Sequence, residues 1–153
     1  MKYIIIAGVV IVLGFLIALQ FIPLGIEPLT EVYFENHTKL PNVIFLNKTY
    51  NFTFTVHNLE YMPMDYKYNI DAEFLGGNFN MDSGTFSLQN NESTQITENF
   101  QFHDHFEKAK IRIEISRLKD NPLQRDPNLK NQTIDIHFWI EEYVPTKIII
   151  TPD

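Results

Sequence analysis

The sequence has no cysteine, so no disulfide stabilises the chain and no thiolate is available as a nucleophile or a metal ligand. Small secreted domains of animals usually depend on disulfides, whereas cysteine-free domains are ordinary in bacterial and archaeal envelopes. The stability of a folded domain in this chain must therefore come from its hydrophobic core.

The short motifs of common catalytic centres are also absent. The sequence contains no Gly-x-Ser-x-Gly turn, no His-Glu-x-x-His pair and no phosphate-binding loop. Carboxylates are plentiful, but they are scattered along the outer faces of predicted strands, where solvated charge is the ordinary explanation. We therefore expect that the protein is not an enzyme.

Basic residues are few relative to acidic ones after the amino terminus. All 19 Asp and Glu follow residue 26, together with 11 of the 12 Lys and Arg, which gives that part of the chain a net charge of 11 − 19 = −8. Nucleic acid is polyanionic, so we expect no nucleic-acid partner. Anionic lipid headgroups repel the same charge, so we expect the acidic part to stand away from the bilayer surface.

The amino terminus carries one long apolar run. Residues 3–19 read YIIIAGVVIVLGFLIAL without a charge, and FIPLGI follows Gln20. Roughly 20 apolar residues suffice for a helix to cross the hydrocarbon core of a bilayer. The alternatives are a buried core helix and a cleaved signal peptide, but the run is long and lacks an Ala-x-Ala-like exit. We predict an uncleaved transmembrane helix over residues 1–22.

The charges that flank this helix predict its orientation. Lys2 precedes the helix, whereas three glutamates follow it before the next basic residue, Lys39. Under the positive-inside rule, the amino terminus is cytoplasmic and the carboxyl-terminal domain is extracytoplasmic. We predict a short linker over residues 23–29, which contain two prolines, and an outer domain over residues 30–153. Any function must then lie in the outer domain or in the helix itself.

The outer domain alternates between apolar and polar residues in short segments separated by turn signals. In the stretch NKTYNFTFTVHN, residues 47–58, four apolar side chains fall on one face, while the asparagines and threonines fall on the other. No window of about eleven residues shows a convincing helical face. We predict strands near residues 30–35, 43–46, 49–58, 66–75, 84–89, 93–102, 110–118, 131–143 and 147–151.

This pattern predicts an all-β fold, an immunoglobulin-like antiparallel β-sandwich of seven to nine strands preceded by one transmembrane α-helix. The stretch at residues 47–58 is expected to be a central strand with an aromatic inner face. Glu98 interrupts the apolar row of its strand. We therefore expect a bulge or a sheet edge at that residue.

Three segments carry a resemblance to a known group of proteins. They are LTEVYF at residues 29–34, NKTYNFTFTVHNLE followed by YKYNID within residues 47–71, and FSLQNNESTQITENFQF at residues 86–102. They resemble the membrane-anchored immunoglobulin-like domains of uncharacterised archaeal envelope proteins, over roughly residues 29–115. The resemblance implies the fold and the extracytoplasmic compartment, and it carries over no active-site residue. By analogy, such domains are modules of larger assemblies.

Five Asn-x-Ser/Thr triplets occur in the sequence, which is more than the composition leads one to expect by chance. Such triplets accept N-linked glycans in exported proteins and mark exposed positions. Asn- and Thr-rich β-proteins also contain triplets that carry no sugar. The candidate acceptors are Asn36, Asn47, Asn51, Asn91 and Asn131.

Two histidines separated by one residue, His103 and His105, are the strongest candidates for a metal site. On a strand, the side chains of residues i and i+2 point to the same side and can share a metal ion. A third ligand would have to come from His57, His137 or a carboxylate across the sheet. The alternative is a pair of exposed polar residues at the end of a strand.

Met62 and Met64 form a second candidate metal site. Their thioethers, with His57 nearby in the sequence, suit Cu(I) in an oxidising compartment. The alternative is a loop whose methionines cap the core. Copper is the one cofactor that the sequence suggests.

Trp139 is the only tryptophan, and the alternation of its strand places it outward with His137. Exposed large aromatic side chains often mark interfaces. Trp139, His137 and Tyr143 are therefore candidate interface residues. The alternative is that the loop at residues 119–130 folds over the tryptophan.

These observations favour a non-catalytic interaction module, an accessory or structural subunit of an archaeal envelope membrane protein complex or membrane enzyme. Its helix and its sandwich would both contact other membrane protein subunits. A copper-binding or copper-delivery protein near the membrane is an alternative. A surface adhesin, surface-layer or pilin-like component is a further one. Each alternative places the chain in the cell membrane with its carboxyl-terminal domain outside.

Overall fold

The computed structural model describes residues 12–14, 27–124 and 133–144. The described residues form eight strands, and a single turn of 3-10 helix, His37–Lys39, lies between the first two. The strands are β1 (Leu29–Phe34), β2 (Val43–Ile44), β3 (Tyr50–Leu59), β4 (Met64–Phe74), β5 (Gly77–Leu88), β6 (Ser93–Phe100), β7 (Lys108–Arg117) and β8 (Ile134–Glu142). The prediction of an all-β fold is confirmed for the described residues after residue 26.

The strands form two sheets, one in the order β1-β3-β6 and one in the order β2-β8-β7-β4-β5. All pairs are antiparallel except the short parallel pair β2–β8. In the lettering of immunoglobulin domains, the sheets read A-B-E and A′-G-F-C-C′, with β3 as the central strand of the first. The predicted immunoglobulin-like sandwich is therefore the fold of the described residues.

Most strand boundaries lie within about three residues of the prediction, and the start of β5 differs most. β5 begins at Gly77, seven residues before the predicted start, because the chain turns back immediately after β4. Gly76 makes this tight turn possible, since its φ of 109° lies in a region that glycine adopts without strain. Only two residues of the strand predicted at 43–46 pair with a neighbour. The strand predicted at 147–151 lies outside the described residues.

The bulge expected at Glu98 is absent, and the alternative of a sheet edge is correct. The register between β3 and β6 runs without interruption through Glu98, which pairs with Phe52, and β6 is an edge strand. A shift in register occurs instead between β4 and β5, where Ile70 pairs with Asp82 and Asp71 pairs with Asn80. The extra residue opposite this step bends the edge strand β5.

The core lies between the two sheets, and β3, β4 and β7 contribute most of its buried apolar side chains. β3 contributes Phe52, Phe54 and Val56, and β7 contributes Ile111, Ile113 and Ile115, all of them buried. In antibody domains the corresponding B and F strands are joined by a disulfide. In this chain, apolar side chains on the inner faces of the two sheets pack against each other instead.

Phe52 is the centre of the aromatic part of this core. Its ring centroid lies 5.1 Å from that of Phe138 on the opposite sheet, and 6.0 Å and 6.3 Å from those of Phe100 and Phe34. Phe34 also contacts Phe138 edge-on at 5.5 Å. Edge-to-face pairs of this kind contribute roughly 0.5–1.5 kcal/mol beyond the burial of their area.

The two ends of the sandwich differ in position and in composition. The near end, where the chain enters β1, holds the end of β3 and the turns at residues 60–63 and 89–92. The far end holds the segments at residues 45–49, 75–76 and 101–107 and the end of β8. The predicted membrane linker precedes β1 and therefore joins the near end.

Asn58 ties the turns of the near end to one another. Its Nδ2 donates to the backbone carbonyl oxygens of Met62, Leu88 and Gln89 at 2.9, 3.0 and 3.0 Å. Its Oδ1 accepts from the backbone nitrogen of Glu60 at 3.0 Å. A buried amide that satisfies so many backbone groups specifies the geometry of both turns.

Glu60 is a buried carboxylate with a complete set of partners. Its oxygens accept from Thr30 Oγ1 at 2.7 Å, from Arg117 Nη1 at 2.9 Å and from Asn121 Nδ2 at 2.9 Å. Tyr66 lies 3.0 Å from the same threonine hydroxyl, and burial raises the pKa of Tyr66 to about 12. Removal of one partner would leave a buried charge uncompensated, which is strongly destabilising.

Two inward-facing carboxylates lie on the edge strands of opposite sheets. Asp82 on β5 pairs with a buried isoleucine of β4 and accepts from Tyr68 Oη at 2.8 Å, while Glu98 on β6 pairs with Phe52. Burial and the charge of Asp82 raise the pKa of Glu98. Inward charges on edge strands oppose pairing with a foreign strand.

We predict that Glu98→Gln stabilises the fold at pH 7. Folding raises the pKa of Glu98 above its ordinary value of 4.5, so the folded state binds this proton more tightly than the unfolded state does. The ionised Glu98 carboxylate therefore destabilises the folded state above the raised pKa, and this destabilisation disappears as the pH falls below 4.5. Thermal unfolding of the full chain in detergent should show a higher Tm for the variant at pH 7 and an equal Tm at pH 4.

Asp120→Asn, at an exposed carboxylate of the near end, is the control and should leave the Tm unchanged at pH 7. An equal or lower Tm for Glu98→Gln at pH 7, or an advantage that persists at pH 4, would contradict this prediction.

Candidate functional site

The far end of the sandwich contains an apolar cleft of about 820 Å³. One wall is the tip of the β4–β5 hairpin, with Phe74, Leu75 and Phe79. The other wall is the loop at residues 101–107 that joins β6 to β7. A cleft of this volume lies within the size range of sites for organic ligands and for the anchor residues of peptides.

Three phenylalanines pack against one another at the cleft, with the ring of Phe74 edge-on to the other two. The ring of Phe74 lies 5.6 Å from that of Phe102 and 5.6 Å from that of Phe106, and these two lie 5.2 Å apart. Leu75 is fully exposed, and Phe79 is more than half exposed. Exposed apolar side chains beside a concave aromatic surface are typical of binding sites.

The loop at residues 101–107 is held in place by hydrogen bonds from two other segments. Asn47 donates its backbone N–H to the carbonyl oxygen of Phe102 at 2.9 Å, and its Oδ1 lies 2.8 Å from His103 Nδ1. Glu142, at the end of β8, lies 2.7 Å from His105 Nδ1 and accepts from the backbone N–H of Phe106 at 2.9 Å. The backbone donor and, secondarily, His105 lower the pKa of Glu142.

The structure corrects the expectation that His103 and His105 lie on a strand. β6 ends at Phe100, and both histidines lie exposed on the loop that follows it. Each ring is oriented by a different acceptor, Asn47 for the first and Glu142 for the second. Within residues 27–124 and 133–144, no group of three or more His, Asp or Glu side chains is arranged to hold a metal ion. A shared metal at these two histidines stays a prediction.

The second set of metal candidates lies at the opposite end of the sandwich. Met64 is buried in β4, and Met62 is half-buried against the core. His57, near the end of β3, lies 3.6 Å from a carboxylate oxygen of Glu31 and 3.3 Å from Asn91 Oδ1. A strand of ten residues spans roughly 30 Å, so these side chains and the histidines of the far-end loop belong to separate sites. The copper hypothesis is untested at both.

Trp139 is half exposed on the outer face of β8, and further exposed apolar side chains lie on β2 and just after the ends of β2 and β8. The ring of Tyr143 lies 4.7 Å from that of Phe45, and Lys108 Nζ lies 5.0 Å from the centroid of Trp139. His137 is exposed two residues before Trp139 on the same face, 3.9 Å from an oxygen of Asp135. We call the exposed side chains of this surface the β2–β8 patch, which comprises Val43, Phe45, Trp139, Tyr143 and Val144.

Four of the five candidate glycosylation sites lie within the described residues. Their asparagines, at positions 36, 47, 51 and 91, are all exposed. Asn51 points away from the core on the central strand of the first sheet, and Asn47 and Asn91 adopt positive φ in turns. Asn131 lies outside the described residues. Exposure is compatible with glycosylation, which stays a prediction.

The predicted transmembrane helix falls almost wholly outside the described residues. Of residues 1–22, the structure describes residues 12–14 alone, as helix. Among the residues that are described, none belongs to a helix of sufficient length and hydrophobicity to span a bilayer. The anchor, the linker and the extracytoplasmic location of the domain are therefore predictions that rest on the sequence.

The hydrogen bonds of Glu142 predict a specific effect on the far-end loop. In Glu142→Ala, the backbone N–H of Phe106 loses its acceptor, so hydrogen exchange of the Phe106 amide should accelerate at least about ten-fold. Glu141→Ala, at the neighbouring exposed carboxylate, is the matched control and should leave this exchange unchanged. Hydrogen–deuterium exchange with peptide-level mass spectrometry measures both variants. Equal protection in the two variants would show that Glu142 does not hold the loop.

No family model matches the chain, and no curated protein matches it significantly in sequence. In structure it is similar to a chain of the complex between zinc 2-glycoprotein and prolactin inducible protein from human seminal plasma, with 13% identity and a TM-score of 0.56. That alignment covers 78% of this chain and 98% of the other.

A weaker likeness is to the CARDB domain of a Pyrococcus furiosus protein in complex with di-metal ions. The identity is 19%, the TM-score is 0.49, and the alignment covers 77% of this chain and 90% of the other. At such identities a likeness concerns the fold alone. Together with the strand order, the comparison with the seminal plasma complex identifies the described residues as a β-sandwich of the immunoglobulin-like kind.

Proposed function

We propose that the protein is a non-catalytic interaction module, anchored in the membrane by its amino-terminal helix and serving as an accessory subunit of an envelope membrane protein complex. The observation that supports this proposal most is the β2–β8 patch. It brings a tryptophan, a tyrosine and a phenylalanine to one exposed surface. Aromatic side chains of this kind dominate the energetics of protein interfaces.

The composition of the patch favours a protein partner. Lys108 packs its ammonium against the ring of Trp139 and also pairs with Glu141 at 3.2 Å, so the charges beside the aromatic surface are largely neutralised. An apolar centre with a paired polar rim is the usual anatomy of a protein–protein interface. An anionic membrane surface is a poor partner for a domain of net charge −8.

The patch lies on the side of the sandwich, away from the end that the predicted linker would join. The linker joins the near end, whereas the patch runs along the β2–β8 edge to the far end at Val144. A partner subunit beside the same helix would therefore meet the side and the far end of the sandwich.

Native purification of the full chain in mild detergent, followed by mass spectrometry, tests this proposal. A membrane protein partner should co-purify with the wild-type chain and with Tyr33→Asp, which alters an exposed aromatic side chain of the other sheet. Trp139→Asp should reduce the amount of partner by about 30-fold, which corresponds to a loss of about 2 kcal/mol at a hot spot.

An unchanged Tm would show that Trp139→Asp remains folded. A chain that is extracted only as a free monomer, or that is found in the cytosol, would contradict the proposal.

A further inference from the structure

The far-end cleft is a second binding surface, distinct from the β2–β8 patch. Its apolar side chains come from the β4–β5 hairpin and from the loop at residues 101–107, and none of them belongs to the patch. The mutual packing of Phe74, Phe102 and Phe106 gives the cleft a defined aromatic surface. The hydrogen bonds of Asn47 and Glu142 hold one wall in place. The cleft is therefore formed before any ligand arrives.

The rim of the cleft carries negative charge that the described residues do not neutralise. Asp104 and Glu107 are exposed on the rim, and neither forms an ion pair with another residue that the structure describes. Lys108, the one lysine of the lining, forms an ion pair with Glu141 and a cation–π contact with the ring of Trp139. A ligand that enters an apolar cleft with this rim is favoured if it carries positive charge beside an apolar part.

We propose that the cleft binds an apolar segment of a partner polypeptide that is flanked by Lys or Arg. The apolar side chains of the segment contact Phe102, Phe106 and the exposed hairpin residues, and its basic side chains lie beside Asp104 and Glu107. The cleft is a contact surface separate from the β2–β8 patch. The two proposals can therefore be tested independently. Anionic lipid and nucleic acid are disfavoured at this rim by the same charges.

Two blocked peptides test the proposal, Lys-Lys-Ile-Phe-Ile-Lys-Lys and its counterpart Glu-Glu-Ile-Phe-Ile-Glu-Glu. Each is labelled, and its binding to the full chain in zwitterionic nanodiscs is measured by fluorescence anisotropy, with empty nanodiscs as the blank. The basic peptide should bind at least about ten-fold more tightly than the acidic one, and the preference should shrink as salt is raised.

Variants assign the binding to the cleft. The double variant Asp104→Asn, Glu107→Gln should reduce the preference for the basic peptide to about two-fold or less. Phe79→Ser, at an exposed position of the cleft, should weaken binding of the basic peptide at least about ten-fold, while Tyr33→Ser on the other sheet should leave this binding unchanged.

Three outcomes would overturn the proposal. The first is no saturable binding of the basic peptide, and the second is equal binding of the two peptides. The third is binding that appears only after residues 145–153 are removed, because that segment of this chain itself contains Lys147 followed by three isoleucines.

Peptide binding should survive in Trp139→Asp, so loss of the co-purified partner together with intact peptide binding separates the two surfaces.

Discussion

The packing of Phe52 between the two sheets is the interaction on which the rest of the structure depends. No disulfide joins the central strands, because the chain contains no cysteine. Phe52 contacts Phe138 across the sandwich at 5.1 Å, and Phe34 lies against both rings. Buried aromatic side chains contribute the largest share of apolar area per residue in such a core. The spacing of the sheets, and with it the geometry of both ends, follows from this layer.

The near end of the sandwich buries polar side chains, whereas the far end exposes apolar ones. At the near end, Asn58 and Glu60 are buried with their hydrogen-bonding groups satisfied, and a satisfied polar network specifies one arrangement of the turns. At the far end, Leu75 and Phe79 are left exposed beside an aromatic cleft, and Tyr143 and Phe45 are exposed at the end of the patch. The polar end thus lies toward the predicted anchor, and the apolar end lies away from it. This arrangement leaves the apolar side chains accessible to the proposed partner.

The alternation of side chains predicted most of the fold, because strands that bury one face repeat with a period of two. The same logic placed Glu98 at a bulge or a sheet edge, of which the edge is correct, and Trp139 on the surface. The glycine pair Gly76-Gly77 marked the turn after β4, but the start of β5 at Gly77 and the register step after Ile70 were missed, since a mixed polar strand does not reveal where pairing begins. Local propensity leaves such register weakly specified.

The candidate site was harder to predict from the sequence. The walls of the cleft come from segments about 25 residues apart in the chain, Phe74–Phe79 and 101–107, and they meet only through the pairing of β4 with β7. The repeat of phenylalanine at positions 102 and 106 was the available local signal. Glu60 was missed because a glutamate after a strand ordinarily lies in a solvated turn.

The coupling between Phe52 and Phe138 tests this account most directly. The free energy of unfolding is measured by denaturant titration in mild detergent for the wild-type chain, Phe52→Leu, Phe138→Leu and the double variant. If aromatic packing holds the sheets together, the double-mutant cycle should give a coupling of about 1 kcal/mol. Effects that add to within about 0.3 kcal/mol would show that the two rings contribute independently and would contradict the account.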